Sequence, residues 1–161
     1  LDQLGPPEFG KDEKVYAKKY QDTLSRKDIE SAYSHAGIEI VEGQVLPESV
    51  VPGDAKPVDM GGSTDVADVS WVVPTVSLWG ANYAIGTPFH SWQMTAQGKS
   101  SIAIKGMTHA AMVMAATGSD LMTNKKILDA AWQEHNRTIK KEGYMLPISI
   151  SAPPPIKDMV P

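Results

Sequence analysis

The chain has 161 residues, of which 42% are hydrophobic and 21% charged, a composition typical of a folded domain rather than a disordered tail. Nineteen acidic and fifteen basic side chains leave a net charge of −4, which argues against a general surface for nucleic acid or anionic membrane. The absence of cysteine excludes a disulfide framework, a catalytic thiolate and a cysteine-ligated metal site. No apolar run is long enough to cross a bilayer and no signal peptide is visible, so a cytoplasmic protein is expected.

The first third of the chain shows one clear helical pattern. Residues 12–27 predict a helix, because acidic residues crowd the first turn and larger side chains recur at helical spacing. This stripe comprises Val15, Tyr16, Lys19, Tyr20 and Leu24. Residues 38–42 have the pattern of a short strand. Prolines at positions 47, 52 and 57 then predict mainly loop over 43–60.

The remainder gives stronger signals. A short helix is expected near 66–71, a strand at 75–79 and a loop over 80–98. A long helix is predicted over 99–117, capped by Ser100 or Ser101. Its expected inward residues are Ile102, Met107, Ala110, Ala111, Met114 and Ala115. A last amphipathic helix begins at Asn124 and ends near Gly143. Its apolar face comprises Ile127, Leu128, Ala131, Trp132, His135 and Ile139.

These elements predict an α/β protein that is incomplete. Two strands at most accompany three good helices, and a stable sheet normally needs more strands than that. We therefore expect additional strands from elsewhere in a longer chain or from a partner. The first residue, Leu1, is not methionine, which is typical of a processed product or a fragment.

The first candidate site is a polar turn formed by Gly61, Gly62, Ser63, Thr64 and Asp65. Two glycines allow consecutive backbone N–H groups to converge, and the hydroxyls add donors, an arrangement that suits a carboxylate or phosphate. The alternative is a plain turn into a helix, with Ser63, Thr64 or Asp65 as the N-cap.

The second candidate is His90, in a loop beyond the predicted strand, where a histidine can bind a metal. The alternative is a packed, hydrogen-bonded side chain. His35, His109 and His135 are expected to be packing or surface residues, because no second ligand stands at metal-site spacing. A phosphate-loop interpretation of the segment at Gly98 is rejected, since the required earlier glycine is Gln93.

Taken together, three segments resemble the M20 family of metallopeptidases and amidohydrolases, and within it the aminobenzoyl-glutamate utilization protein B subgroup. They are MGGSTDVADVSW from Met60, TPFHSWQ from Thr87, and GKS from Gly98 leading into KGM at 105–107. The opening LGPPEF at 4–9 is similar to the segment that re-enters the catalytic domain in that subgroup.

The resemblance implies a three-layer α/β/α, zinc-aminopeptidase-like catalytic domain, interrupted by an inserted lid or dimerisation domain. Family members use two divalent metal ions, usually zinc and sometimes manganese or cobalt, with a glutamate as general base. His90 matches the last metal-ligand histidine of the family. Gly61–Asp65 matches its glycine-rich substrate loop, which suits a glutamate-like carboxylate.

The family's H-x-D segment, its paired glutamates and its other metal-ligating acid have no counterpart in this sequence. We therefore interpret 1–161 as the C-terminal portion of a catalytic domain, with the general base outside the chain. The whole protein is expected to hydrolyse an N-acyl amino acid or aminobenzoyl-glutamate-like amide and to form a homo-oligomer. The fragment alone is expected to bind no metal pair and to be inactive. The alternative is a non-enzymatic α/β module that binds a small anion or a protein partner.

Overall fold

A computed structural model describes residues 3–56, 62, 64–144, 148 and 151–153. Within these residues the chain forms six helices and no β-strand. In chain order they are α1 (Lys11–Gln21), α2 (Arg26–Ala36), α3 (Val66–Val72), α4 (Trp92–Gln97), α5 (Ser101–Thr123) and α6 (Lys125–Glu142). The predicted α/β class, with its three-layer architecture, is therefore wrong: the described part of the chain is helical.

Both predicted strands are irregular segments instead. Residues 38–42 form a bend, a stretch without regular structure and the start of a turn, and 75–79 also run without regular structure. Neither segment pairs with a second strand in the described residues, and Val41 and Val76 are exposed. Strand propensity mainly reflects packing on a pleated, half-buried surface, so β-branched residues without a pairing partner do not form a ladder.

The predicted helix over 12–27 matches α1 but extends past its end, and α2 is not predicted from the sequence. α1 ends at Gln21, and Ser25 begins α2 by accepting a hydrogen bond from the Asp28 backbone N–H at 3.2 Å. The Asp28 carboxylate in turn accepts from the Ser25 N–H at 2.9 Å, which completes a capping box. α2 ends at Ala36, and its C-cap Gly37 has a φ of 68°, which glycine adopts without strain.

The described chain divides into two compact units. One comprises the described residues within 1–63 and 76–124, and the other comprises those within 64–75 and 125–161. The core of the first unit joins α1, the loop after α2, the turn before His90 and α5. Its buried apolar residues are Ala17, Val45, Leu46, Ala84 and Ile102, with Phe9, Tyr16 and Tyr20 packed against them.

α5 begins within two residues of its predicted start but runs to Thr123, six residues beyond the end predicted at 117. Ser100 is its N-cap, accepting from the Ala103 N–H at 3.1 Å. The predicted inward face is correct at Ile102 but wrong at Met107 and Met114, which are 62% and 67% exposed, and at Ala111 and Ala115, which are also exposed. The buried positions are instead Ile102, Gly106 and Val113. The helix is rotated in this way because Gly106 allows close contact with the chain at 81–82.

In the second unit, α3 and α6 are joined by polar and aromatic contacts. His135 Nε2 of α6 lies 3.1 Å from the Ser70 carbonyl oxygen, and the Tyr144 hydroxyl donates to Asp68 at 2.9 Å. The Trp71 and Tyr144 rings are 5.5 Å apart. The predicted bounds of both helices are confirmed to within one residue. Among the described helices, none combines the length and hydrophobicity needed to cross a membrane.

Candidate functional site

His90 stands out by its backbone conformation. Its φ is 58°, and in the described part of the chain no other residue apart from glycine has a positive φ. Histidine tolerates this left-handed region better than most residues, but the conformation still carries strain. The side chain is exposed, and its ring nitrogens have no hydrogen-bond partner among the described residues. Strained, exposed loop residues of this kind are typical of functional sites.

The turn that precedes His90 is fixed against α2. Thr87 donates twice to the Ala84 carbonyl oxygen, from its backbone N–H at 3.1 Å and from its hydroxyl at 2.7 Å. Gly86 in this turn has a φ of 91°, and a Cβ there would lie 3.0 Å from the Cα of Ile29. Only glycine satisfies both the backbone angle and the contact.

The residue after His90 begins α4. The Ser91 hydroxyl accepts a hydrogen bond from the Met94 N–H at 3.2 Å and donates to the Pro88 carbonyl oxygen at 2.7 Å. This serine cap therefore ties the start of the helix to the loop before His90. The sequence prediction of loop over 80–98 missed α4, although Ser91 is a residue type that favours an N-cap.

Gln97, at the end of α4, connects the helix to the turn and is fully buried. Its side-chain oxygen accepts from the Ala84 N–H at 2.8 Å. Its side-chain nitrogen donates to the Thr87 hydroxyl and to the Gln93 carbonyl oxygen, both at 3.1 Å. The sequence did not single out Gln97, because the pairing of its amide with residues ten or more positions earlier is a tertiary contact.

Aromatic side chains lie beside His90. The Phe89 ring is 5.8 Å from that of Trp79 and 6.3 Å, edge to face, from that of Tyr83. Trp79 is 67% exposed and Phe89 47%. Burial raises the pKa of Tyr83 above its ordinary value of 10.0. The arrangement places an apolar, partly exposed surface next to the His90 loop.

No complete metal site exists within the described residues. They contain no group of three or more histidine, aspartate or glutamate side chains that could hold an ion. His90 can offer one imidazole nitrogen, and a complete site there would need further ligands from outside the described part of this chain.

The remaining histidines lie at other places in the fold. His109 Nε2 lies 2.8 Å from the Gly5 carbonyl oxygen, and the ring of His135 packs edge to face against Trp132 at 5.5 Å. His35 is exposed near the end of α2. None of the three contributes to a cluster of metal ligands in the residues described.

The predicted anion-binding turn is only partly described. Gly61 and Ser63 lie outside the described residues, whereas Gly62, Thr64 and Asp65 are exposed. The Thr64 hydroxyl accepts from the Val66 N–H at 3.3 Å, and Asp65 occupies the N-cap position of α3 without a side-chain capping bond. The role of the turn in binding a carboxylate stays a prediction.

Comparison with known proteins finds similarity to the B subunit of p-aminobenzoyl-glutamate hydrolase from Escherichia coli (strain K12). The two sequences are 34% identical over 168 aligned positions, which take in 98% of this chain. The chain spans only 35% of the length of that protein. No family model matches the chain, and no solved structure matches it.

Proposed function

We propose that this chain is part of a metal-dependent amidohydrolase of the M20 family. The whole protein would hydrolyse the amide bond of an N-acyl amino acid or an aminobenzoyl-glutamate-like substrate. The observation that carries the proposal is the similarity over 98% of the chain to a protein named as part of a hydrolase. The motif segments around Met60 and Thr87 support the same family.

His90 is the residue of this chain proposed to touch the metal centre, which would hold two divalent ions, zinc or manganese. Its exposed ring, its unpartnered nitrogens and its left-handed backbone support this role. A divalent ion bound there would polarise the amide carbonyl and lower the pKa of a bound water. His90 itself would act as a neutral imidazole, keeping one ring nitrogen free of a proton for the ion.

The other parts of the site are proposed to lie elsewhere in the protein. The general base and the remaining metal ligands would come from the rest of the catalytic domain, since the described residues hold no ligand cluster. The turn at 61–65 would hold the carboxylate of the substrate through backbone N–H groups. We also propose that the protein works as an oligomer, in line with the name of the relative, which is that of one subunit of an enzyme.

The test is metal content and amidase activity of the full-length protein and its His90→Ala variant. We expect His90→Ala to lower zinc or manganese affinity at least about tenfold and to abolish hydrolysis of aminobenzoyl-glutamate. His35→Ala is the matched control, because His35 is exposed on a helix and outside this loop. Unchanged metal content in His90→Ala would contradict the proposal and favour a non-enzymatic binding module.

A further inference from the structure

We propose that Gln97 is a positioning residue, whose buried amide fixes the backbone from which His90 projects. The inference depends on the proposed function, because positioning His90 matters for metal binding only if His90 is a ligand. The hydrogen bonds of Gln97 are observed independently of that proposal. Gln97 does not touch the expected reaction centre. It acts on the two ends of the segment that carries His90, which are the turn at 84–87 and helix α4.

Every polar group of the Gln97 side chain has a partner. The oxygen accepts from Ala84, one amide hydrogen is directed to Thr87, and the other to the Gln93 carbonyl oxygen. A fully buried amide is costly unless its hydrogen bonds are made, so this site selects a group with one acceptor and two donors. A glutamate could accept from Ala84 but could not donate to the other two oxygens.

The partners of Gln97 all lie between positions 84 and 97. Two of them, Ala84 and Thr87, form the turn before His90, and the third lies on α4 itself. A second clamp, the Ser91 hydroxyl, joins Pro88 to α4 inside the same segment. These hydrogen bonds therefore connect the residues before His90 to those after it. Without them, little would hold the backbone of His90 at its strained, positive φ.

The decisive comparison is a pair of substitutions at the hydroxyl that Gln97 contacts. Thr87→Val keeps the shape but removes the acceptor for Gln97 and the donor to Ala84, whereas Thr87→Ser keeps both. In the full-length protein we expect Thr87→Val to weaken zinc binding about tenfold and Thr87→Ser to bind zinc as tightly as the wild type. Gln97→Glu should act in the same direction as Thr87→Val. The matched control is Thr95→Val, which alters an exposed hydroxyl on the same helix.

A purely structural role and a positioning role differ in what they change. A structural role would lower the unfolding midpoint of Thr87→Val and leave zinc affinity of the folded protein unaltered. A positioning role also shifts the nuclear magnetic resonances of the His90 ring in the metal-free protein, with Thr87→Ser close to wild type. If neither zinc affinity nor the His90 resonances respond to Thr87→Val, the inference is overturned.

The same experiment separates this inference from the proposed function. If His90→Ala weakens zinc binding while Thr87→Val and Gln97→Glu change neither zinc binding nor the His90 resonances, His90 is a ligand and Gln97 does not position it. If His90→Ala leaves zinc binding unchanged, the metal proposal is wrong. The resonances of His90 in Thr87→Val then decide the role of Gln97: a shift supports it, and unchanged resonances overturn it.

Discussion

Gly106 and Asn82 are in closer contact than any residue with a side chain at position 106 would allow. A Cβ on Gly106 would lie 2.2 Å from Asn82 Oδ1 and 2.3 Å from the Ala81 carbonyl oxygen. Asn82 Oδ1 is itself buried and has no hydrogen-bond partner among the described residues. The contact brings α5 against the chain segment that leads to the turn before His90.

Gly106→Ala should therefore lower the free energy of unfolding by about 3 kcal/mol, because the new methyl group must displace backbone atoms. The matched control is Gly118→Ala on the same helix, where a Cβ would meet nothing within 4 Å. There, alanine should raise stability by about 0.5–1 kcal/mol through helix propensity. Chemical denaturation of both variants tests the difference, and equal effects would contradict the close contact.

Glu13 links the first helix to α5 through a partly buried ion pair. Its carboxylate accepts from the Lys105 ammonium at 2.7 Å and from the Gly10 N–H at 2.7 Å. Burial alone would raise the pKa of Glu13, but hydrogen bonds from Lys105, Ser101 and Gly10 together lower it below its ordinary value of 4.5. The unfolded state thus binds more protons near that pH, so stability falls as the solution is acidified through the lowered pKa.

Glu13→Gln should lower the free energy of unfolding at neutral pH by about 1.5 kcal/mol and flatten its decline in acid. Glu48→Gln is the control, because Glu48 pairs with Lys14 in an exposed position. That change should cost less than about 0.5 kcal/mol. Urea denaturation between pH 3 and about pH 7 checks both results. If the stability of Glu13→Gln falls in acid as steeply as that of the wild type, Glu13 is not the group whose protonation destabilises the protein.

The left-handed φ of His90 predicts an unusual order of stabilities. His90→Gly should unfold with a free energy about 1 kcal/mol higher than His90→Ala, because glycine accepts that φ without a Cβ clash. At Thr95, inside α4, we expect the opposite: the alanine variant should be about 1 kcal/mol more stable than the glycine variant, since glycine is a poor helix former. Thermal unfolding of the four variants measures this. Finding alanine the more stable residue at position 90 would mean that the backbone there is not left-handed.

Tyr16 and Tyr20 share a hydrogen bond on α1, with their hydroxyl oxygens 3.1 Å apart. This bond, together with burial and the neighbouring phenol, raises the pKa of Tyr16 to about 12. Tyr20→Phe should bring the pKa of Tyr16 back towards its ordinary value of 10. Spectrophotometric titration of the phenols in alkali measures the change. Since the raised pKa favours the neutral form in the folded state, the associated stability is lost as the pH rises from 10 towards 12.

The helices that could be predicted from the sequence are those whose signals are local. The sequence predicts α6 almost to its ends because an apolar face repeats at helical spacing. It predicts the start of α5 because Ser100 is a good cap, but not its last six residues. The break between α1 and α2 also had a local signal, the Ser25–Asp28 capping box, which was not recognised. Here the information was present in neighbouring residues.

The motif segments likewise depend only on the order of residues, and they led to the family proposal and to His90. The sequence could not reveal that segments 38–42 and 75–79 stay unpaired, since pairing depends on a partner strand. It also could not identify the face of α5 that packs inward, because a contact between Gly106 and Asn82 fixes the rotation of the helix. Likewise, Gln97 was found only through hydrogen bonds to Ala84 and Thr87, whose geometry exists once the turn has formed. Local pattern determined the positions of the main helices and the candidate histidine, whereas packing between distant residues decided what surrounds that histidine.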